Sequence, residues 1–498
     1  MNYLKLSSSF LLCLVLMAPA FPQKVYHLDL TTSINIAKAQ STRMLVLQQR
    51  LERASYDLKS ATSKLRTHVS ADLIIPSYSE TIRQWEDSTG VSFYPVKKNE
   101  MSGYLTVSQP LPTDGSLYIR SGLSNVADFY ADDRAAQMIS SIGFRQPIDA
   151  FYGYNYIKNS YKQAQLSYDL SLKQLKREEL NLVYDVSQVF YYLLSYNERL
   201  NIAKMGLERQ QEAYNIALSK YSAGLIREVE SLQMEVDLNE AINNFDIAKV
   251  NYTSQVSLLK ETLGISLKDS IVVESKLDYS PVIIDIEKAV SLAMQNRLEL
   301  KENELEMELQ RMEIKRRRAQ GMINGDILVN YNFQGTSKTN LNIPTGTAFD
   351  YTWHNLQARP GSFGVGLTIN IPIIDWGENR ASVNAAKAVM NQYKYQMEGD
   401  KVNIERDIRT RTDQLHSSLK RLQMLEKNVT VAEKSFEISR QRYANGDIDS
   451  QNMALERERL NNAYVSRLVA FIEYKLNLSD LMRKTFFDFE KGQSVLDL

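Results

Sequence analysis

The chain has 498 residues, of which 44% are hydrophobic and 24% are charged. This composition excludes a globally disordered protein, and the balance of 59 basic against 59 acidic residues argues against nucleic acid as a partner of the whole surface. Only 11 residues are prolines, and none of them lies within 148–280 or 373–498. Because proline breaks helix interiors, very long helices can run through these two stretches.

Residues 1–20 have the features of a secretory signal peptide. Lys5 gives a positive start, an apolar run follows, and Ala18 and Ala20 fit a cleavage site. The apolar run is too short to span a bilayer. Cys13 is the only cysteine of the chain, so we expect a mature protein without disulfides, thiolate metal sites or a cysteine nucleophile.

The sequence that follows contains one structural unit twice. The pattern Tyr-x-x-Gly occurs at residues 221–224 and again, 222 residues later, at residues 443–446. The same offset relates apolar positions in the flanking segments, such as Leu193 with Leu415. Similarity at one fixed offset is the signature of a repeated unit, so the chain is predicted to be a duplication.

In chain order, each copy is predicted to form a starting helix, strands, a very long helix, a break and a shorter helix. The first copy occupies 21–282, with a helix at 30–66, strands within 69–148 and helices at 155–221 and 226–263. The second copy occupies 283–498, with a helix at 286–320, strands within 326–373 and helices at 378–443 and 446–483. The predicted fold class is therefore mainly α, with long helical hairpins and a smaller β portion.

The predicted strands alternate between apolar and polar residues, which indicates one apolar and one polar face. Ile327, Val329 and Tyr331 show this pattern in the second copy. The segments 105–110 and 142–147 of the first copy both look like the second copy's 367–372. The first copy therefore carries an extra hairpin.

At this point the sequence resembles the TolC family of bacterial outer membrane efflux and secretion channels. The resemblance covers nearly all of the mature chain, and it rests on the duplication, on the two Tyr-x-x-Gly breaks, and on the strand ends at 146–148 and 371–377. It implies a homotrimer whose strands close into one shared transmembrane β-barrel in the outer membrane of a Gram-negative bacterium. The helices would then form a tunnel through the periplasm.

The resemblance also implies partners. These are a periplasmic adaptor (membrane fusion) protein, an inner-membrane transporter of RND or ABC type that supplies the energy, and outer membrane lipid. Strands with one apolar and one polar face suit a barrel with lipid outside and water inside. A few strands from one chain cannot close a conducting barrel, so further copies must supply the rest.

Two features of the β portion leave alternatives open. Trp376, at a strand end, suits an aromatic belt at the membrane interface, but an ordinary packed aromatic is equally compatible. A typical family member has two strands in each copy, so the extra hairpin leaves the strand number of the barrel open. Residues 116–138 could be barrel wall, an internal plug or a surface excursion.

The breaks between the paired helices are the candidate docking site. Gly224 and Gly446 follow long helices, where a left-handed cap is needed. The resemblance implies that the adaptor docks on the two turns, made by Ala223, Gly224 and Leu225 and by Asn445, Gly446 and Asp447.

The resemblance also implies a periplasmic gate beside these turns. Tyr443 matches the tyrosine that helps to close the entrance in the family, and Tyr221 is its repeat mate, although either could simply pack between helices. Glu230 fits an acidic ring that attracts cations, because like charges converge in a trimer. Its mate is Asn452, and a solvated helix face is the plainer alternative; Glu228 and Asp449 are nearby substitutes.

Two other functional classes fit the sequence less well. A periplasmic enzyme would need a catalytic constellation, and the sequence contains no P-loop, HExxH or GxSxG motif. We therefore expect no enzymatic activity, no cofactor and no metal site. A coiled-coil scaffold without a pore has no reason to carry amphipathic strands at matching positions in both copies.

Overall fold

The computed structural model describes residues 24–88, 90–273 and 277–495. The predicted signal peptide, with Cys13, lies outside these residues. The described chain divides into two units. One is helical and combines the segment up to Arg50 with Lys173–Lys301 and the segment from Glu398 onward, and the other, Leu51–Leu172 with Glu302–Met397, carries a large sheet.

Both repeats run from starting helices through sheet strands to a very long helix and a shorter one. The first contains β1 (Val25–Leu28), α1 (Leu30–Gln40), α2 (Thr42–Ser63), β2 (His68–Asp87), β3 (Gly90–Pro110), β4 (Ser116–Asp128), β5 (Asp133–Pro147), α3 (Tyr156–Ser222), α4 (Glu228–Leu263) and β6 (Ser270–Val273). The second contains α5 (Ile286–Asn296), α6 (Leu298–Gln320), β7 (Asn324–Asn340), α7 (Thr345–Ala358), β8 (Ser362–Asn370), α8 (Glu378–Asn445), α9 (Ser450–Thr485), β9 (Phe487–Asp488) and β10 (Gln493–Ser494). The long helices α3 and α8 have 67 and 68 residues, and α4 and α9 have 36 each.

The starting helices depart from the prediction, which made each of them continuous. The predicted helix at 30–66 is broken at Ser41 (φ −62°, ψ 139°), and the one at 286–320 is broken at Arg297 (φ −59°, ψ 121°). At the first break Gly264, which ends α4, packs closely; a Cβ there would lie 2.6 Å from the carbonyl oxygen of the residue before Ser41. Tertiary packing therefore sets the break, and neither Ser nor Arg is a helix breaker that a sequence pattern would reveal.

The two largest apolar clusters of the helical unit lie one in each repeat. Leu193 and Leu259 are fully buried in the first, and their repeat mates Leu415 and Leu481 are fully buried in the second. Full burial of one such side chain contributes about 1.5–3 kcal/mol. The heptad positions that revealed the duplication are thus the positions that stabilise both copies.

The large sheet contains six strands in the order β2-β3-β4-β5-β7-β8, and all neighbours are antiparallel. The strands therefore run alternately in opposite directions. The connections from this sheet to α2, α3, α6 and α8 all leave from the same end of the sheet, because His68, Pro147, Asn324 and Asn370 lie at that end of the register.

The register separates the sheet into an apolar and a polar face. On one face Phe363, Val365 and Leu367 of β8 pair with Tyr331, Val329 and Ile327 of β7, and the face continues through Phe144 and Ile142 of β5 and Leu117 and Ile119 of β4. The other face carries polar groups, among them an Arg145–Asp326 ion pair of 2.8 Å. Most of the large apolar side chains of the first face are exposed within the single chain, which is the pattern of a sheet that meets lipid.

Helix α7 was not predicted, because its span fell within the strand region 326–373. It packs against β7 and β5 on the apolar side of the sheet. The hydroxyl groups of Thr352 and Ser337 lie 2.7 Å apart, and the N–H of Thr336 donates to Asn355 Oδ1 at 3.0 Å. The helix thus covers the part of β7 that extends beyond β8.

Within the described residues, none of the helices combines the length and the apolar character that crossing a membrane requires.

Candidate functional site at the helical turns

Both helical hairpins turn through the same backbone motif. In the first hairpin, the N–H of Gly224 donates to the carbonyl of Tyr221 at 2.9 Å. The N–H of Leu225 donates to the carbonyl of Lys220, also at 2.9 Å. In the second hairpin, the N–H of Gly446 donates to the carbonyl of Tyr443 at 3.1 Å, and the N–H of Asp447 donates to the carbonyl of Arg442 at 2.8 Å. This pair of bonds is the Schellman motif, which satisfies carbonyls at a helix C-terminus.

The glycines of these turns are required by the backbone and not by crowding. Gly224 has φ 72° and Gly446 has φ 89°, and apart from the glycine's own chain neighbours nothing lies within 4 Å of where a Cβ would sit. A side chain would therefore meet open space but would force a left-handed conformation that L-residues adopt at a cost.

The six candidate docking residues are all exposed. Leu225 has 73% of its surface exposed, whereas its counterpart is the acidic Asp447. The first turn therefore presents an apolar side chain, and the second presents a charge. The two shorter helices begin later than predicted: α4 begins at Glu228 instead of 226, and α9 begins at Ser450 instead of 446.

Tyr443 is packed between the two repeats. Only 6% of it is exposed, and it lies in a cluster with Phe436, Met453 and Leu460, against which Ile216 of α3 packs. The hairpin of the second repeat is therefore attached to the first repeat through an apolar contact at its turn.

Lys220 completes this attachment. Its Nζ donates to the backbone carbonyl of Tyr443 at 2.7 Å and lies 4.5 Å from the centre of the Tyr443 ring. A hydrogen bond from a cation and a cation–π contact act on the same residue. Burial raises the pKa of the Tyr443 hydroxyl, and the negative charge of Glu230 adds to this effect while Arg457 opposes it. The phenol is thus held in its neutral form.

A largely buried ion pair links the shorter helices. Arg457 of α9 lies 3.3 Å from Asp237 of α4, and the two side chains are 13% and 17% exposed. Burial lowers the pKa of Arg457, although Asp237 counteracts it. Any separation of α4 from α9 must break this contact, and removing only one member of the pair would leave an uncompensated, largely buried charge.

The predicted gate residues differ in their surroundings. Glu230 is half-buried in the first turn of α4, and its charge contributes to the raised pKa of Tyr443. Tyr221 is 40% exposed and shares no such cluster. Of the two substitutes, Glu228 is exposed, and Asp449 caps α9 by accepting from the N–H of Asn452 at 2.8 Å.

A small cavity of about 110 Å³ lies beside Tyr443, between the two repeats. Arg209 and Glu212 line it from α3, and Phe436 and Arg440 line it from α8. The guanidinium of Arg209 lies 5.3 Å from the centre of the Phe436 ring, and Arg440 lies 3.6 Å from Glu212.

Sequence reasoning missed Lys220, Asp237 and Arg457. One signal was present, because the repeat mates of Asp237 and Arg457 are Arg459 and Glu235, so that the charges are reversed between the copies. Opposite charges at equivalent positions of two similar helices favour their pairing. Lys220 gave no signal, since its contact depends on the turn of the other repeat.

Within the part of the chain that the structure describes, no group of His, Cys, Asp and Glu side chains is arranged to hold a metal ion.

The family model of the outer membrane efflux protein matches residues 33–264 and 289–463. Among curated proteins, no sequence relative is detected. Solved structures are similar over most of their length. The CmeC outer membrane channel of Campylobacter jejuni has a TM-score of 0.66 at 15% identity, covering 92% of this chain and 85% of CmeC. The outer membrane protein VceC of Vibrio cholerae has 0.67 at 14%, covering 92% and 95%. The MtrE outer membrane channel of Neisseria gonorrhoeae, in its open state, has 0.65 at 14%, covering 92% and 88%.

Proposed function

The chain belongs to the outer membrane efflux protein family, and from this premise we propose that three copies form a passive conduit, coupled through a periplasmic adaptor to an inner-membrane pump. Membership makes the chain an outer membrane efflux channel of the tripartite kind, with its helices in the periplasm. Channels of this family are trimeric and in general work with adaptors and inner-membrane pumps. The pump of this chain would be of RND or ABC type.

The observation that carries the proposal is the division of the sheet into an apolar and a polar face. Lipid outside a closed sheet and water inside it require this division. Asn330 and Arg145 then face the water, while Val365 and Phe144 face the lipid. At the end of the sheet where the helices attach, Trp376 is 95% exposed, and we propose that it lies in the membrane interface. The family and fold are those of channel proteins, and the conduit would contribute no chemistry of its own.

We assign adaptor docking to the two exposed turns, made by Ala223, Gly224, Leu225, Asn445, Gly446 and Asp447. Leu225 supports the assignment, because a leucine with most of its surface exposed at a helical turn suits an apolar contact with another protein. The acidic turn of the second repeat would add charge complementarity.

We assign gating to the contacts that attach Tyr443 to the first repeat. Opening would move the second hairpin away from the first, and this separation must break the Lys220 contact and the Arg457–Asp237 pair. Tyr221 is exposed and would play at most a minor part. Three copies of Glu230 around one axis would favour cations.

Single-channel conductance in a planar bilayer tests the proposal. The detergent-extracted protein should show a small, steady, cation-preferring conductance, because the gate is closed without its partners. Arg457→Ala should raise this conductance severalfold by freeing α9 from α4. Arg459→Ala is the matched control, since Arg459 is exposed and pairs with Glu456 of its own helix.

Glu230→Gln should remove the cation preference, and Glu228→Gln, at an exposed site two residues earlier, should leave it unchanged. An unaltered conductance in Arg457→Ala would refute the gate assignment. A protein that is washed from membranes by salt or base, and that conducts nothing, would refute the channel itself and favour a scaffold.

A further inference from the structure

Strands β4 and β5 repeat the hairpin of β2 and β3. Residues 105–110 and 142–147 lie 37 positions apart and share the ending Gln-Pro. In the structure both glutamines make the same bonds. Gln109 Nε2 donates to the carbonyl of Pro110 at 2.7 Å, and Gln146 Nε2 donates to that of Pro147 at 2.9 Å.

The side-chain partners that precede each hairpin are also equivalent. Gln109 Oε1 accepts from the hydroxyl of Thr67 at 2.5 Å, and Gln146 Oε1 accepts from that of Thr113 at 2.7 Å. Each threonine lies just before the first strand of its hairpin. A shared sequence ending and a shared pair of bonds identify β4–β5 as a second copy of one structural hairpin.

This second hairpin is fully integrated in the sheet. Every residue from Ser116 to Asp128 pairs with β3 on one side and with β5 on the other, and β5 pairs with β7 along its whole length. A plug or a surface excursion would leave β3 beside β7. The faces continue without a break, since Leu117 and Ile119 lie on the apolar face and Tyr118 and Arg120 lie on the polar one.

The two outer strands are suited to each other. Among the described strands, β2 and β8 each pair on one side only. They run in opposite directions, because a sheet of six alternating strands ends in a strand antiparallel to its first. Before the register shift that follows Ile74, β2 carries Val69, Ala71 and Leu73 on the apolar face, and β8 carries Phe363, Val365 and Leu367 there.

We propose that the occupants of these edges are two further copies of this chain, and that the trimer closes a barrel of 18 strands in which both hairpins of the first repeat form the wall. This inference rests on the trimer of the proposed function. Because barrel diameter grows roughly linearly with strand number, the barrel would be about 1.5 times as wide as one built from four strands of each chain. A barrel of this size leaves an aqueous channel rather than an interior filled by side chains.

The similarity of the two hairpins suggests a matched variant that lacks the second one. Deleting residues 111–147 joins Pro110 to Ile148, so that Gln109 and Pro110 take the places of Gln146 and Pro147. Strand β3 would then pair with β7, and its apolar residues would keep their face. The deletion also removes Asp114, which accepts from the N–H of Ile157 at 2.6 Å at the start of α3; Asn155 remains there and caps the N–H of Lys158 at 2.7 Å.

The measured quantity is the largest radius of a neutral polymer that still enters the barrel from the extracellular side, which is detected as a reduced conductance. The full chain should admit polymers with about 1.5 times the radius admitted by the deletion variant, in the ratio of 18 to 12 strands. Equal limits in two trimeric proteins would overturn the inference.

A second measurement does not depend on the deletion. In a Cys13→Ser background, a fluorophore on Ile119→Cys should be quenched by nitroxide-labelled lipid, and one on Arg120→Cys should not. Shielding of both positions from lipid in a verified trimer would mean a plug and would overturn the inference. Native mass spectrometry separates the two proposals, because a monomer or dimer in the membrane would refute the trimer of the proposed function instead.

Discussion

The two repeats are alike along their helices, and they differ at the helical turns and in the number of strands that each contributes to the sheet. Leu193 and Leu415 are equally buried, and both hairpins end in the same pair of turn hydrogen bonds. By contrast, Tyr443 is packed under Lys220, whereas its mate Tyr221 is exposed. The first repeat contributes four strands to the sheet and the second contributes two. The duplicated scaffold is therefore preserved where its own packing requires it, and it has diverged where each copy meets different surroundings.

The largest effect should come from breaking what the repeats share. Leu193→Pro and Leu415→Pro should both abolish trimer assembly, because each removes a backbone bond from a long helix at a cost of about 3 kcal/mol or more and also disrupts a buried site. Size-exclusion chromatography of extracted protein measures the yield. Leu193→Ala and Leu415→Ala are the controls, with an expected loss of about 2–5 kcal/mol each. Assembly of only one proline variant would show that the repeats are not equivalent.

The next largest effect should be a difference in stability between variants of the two tyrosines. Tyr443→Ala removes a buried aromatic side chain and should destabilise the helical unit by about 3–5 kcal/mol, the range for buried aromatic truncations. Tyr221→Ala, at an exposed position, should change stability by no more than about 0.5 kcal/mol. Denaturant unfolding followed by circular dichroism measures both. Similar losses would contradict the asymmetry of the two turns.

Substituting the two turn glycines should reduce stability equally in both repeats, but it should affect adaptor docking unequally. Gly224→Val and Gly446→Val should each cost about 1–2 kcal/mol, because both force a left-handed residue into open space. Gly224→Val should weaken adaptor binding more, since the adjacent Leu225 is the exposed apolar contact. Binding of the purified adaptor to each variant, measured by interferometry, decides this. Undiminished binding and efflux in Gly224→Val, with an intact trimer, would remove the first turn from the docking surface.

A smaller difference should appear at the helix starts. Asp449 caps α9, whereas Arg227 precedes α4 without a side-chain cap. Asp449→Ala should therefore cost about 1 kcal/mol, and Arg227→Ala should be close to neutral. Thermal unfolding of both variants provides the comparison, and equal shifts in Tm would mean that the Asp449 cap contributes nothing.

The smallest effect should be a dependence on pH. Burial raises the pKa of Tyr443 above its value in the unfolded chain, so the stabilisation is complete below an unfolded value of about 10. It is lost as the pH rises from there through the folded pKa, because the unfolded state releases its proton first. Tyr443→Phe should reduce the loss of stability above this pH, and Tyr221→Phe should not. Thermal melts of both variants between neutral and alkaline pH measure this loss, and an equal dependence of Tm on pH in the two variants would contradict the prediction.

The fold class and the family could be predicted from the sequence because both rest on periodicity. Burial of Leu193 and Leu415 imposes the heptad pattern, and the two faces of the sheet impose the alternation around Val329. The break at Ser41 could not be predicted, since it depends on the approach of Gly264 from a distant helix. Helix α7 was missed because its span lies within a region whose flanks are strands.

The site was predictable only as far as the turns. Gly224 and Gly446 mark backbone positions that few other residues can occupy. Lys220 contacts a carbonyl of the other repeat, and a contact with a backbone atom leaves no trace in the partner's residue type. The pairing of Arg457 with Asp237 left a trace only as a reversal of charge between the copies.

The parity of the sheet limits how such a protein can vary in evolution. The chain enters and leaves the sheet at one end, so adding a single strand would deliver the next helix to the opposite end. Adding a hairpin returns the chain to its point of departure, and the hairpin β4–β5, which ends at Pro147, is an increment of this kind. The circumference of the sheet can therefore change by gene-segment duplication in steps of two strands, while selection on the helices proceeds independently.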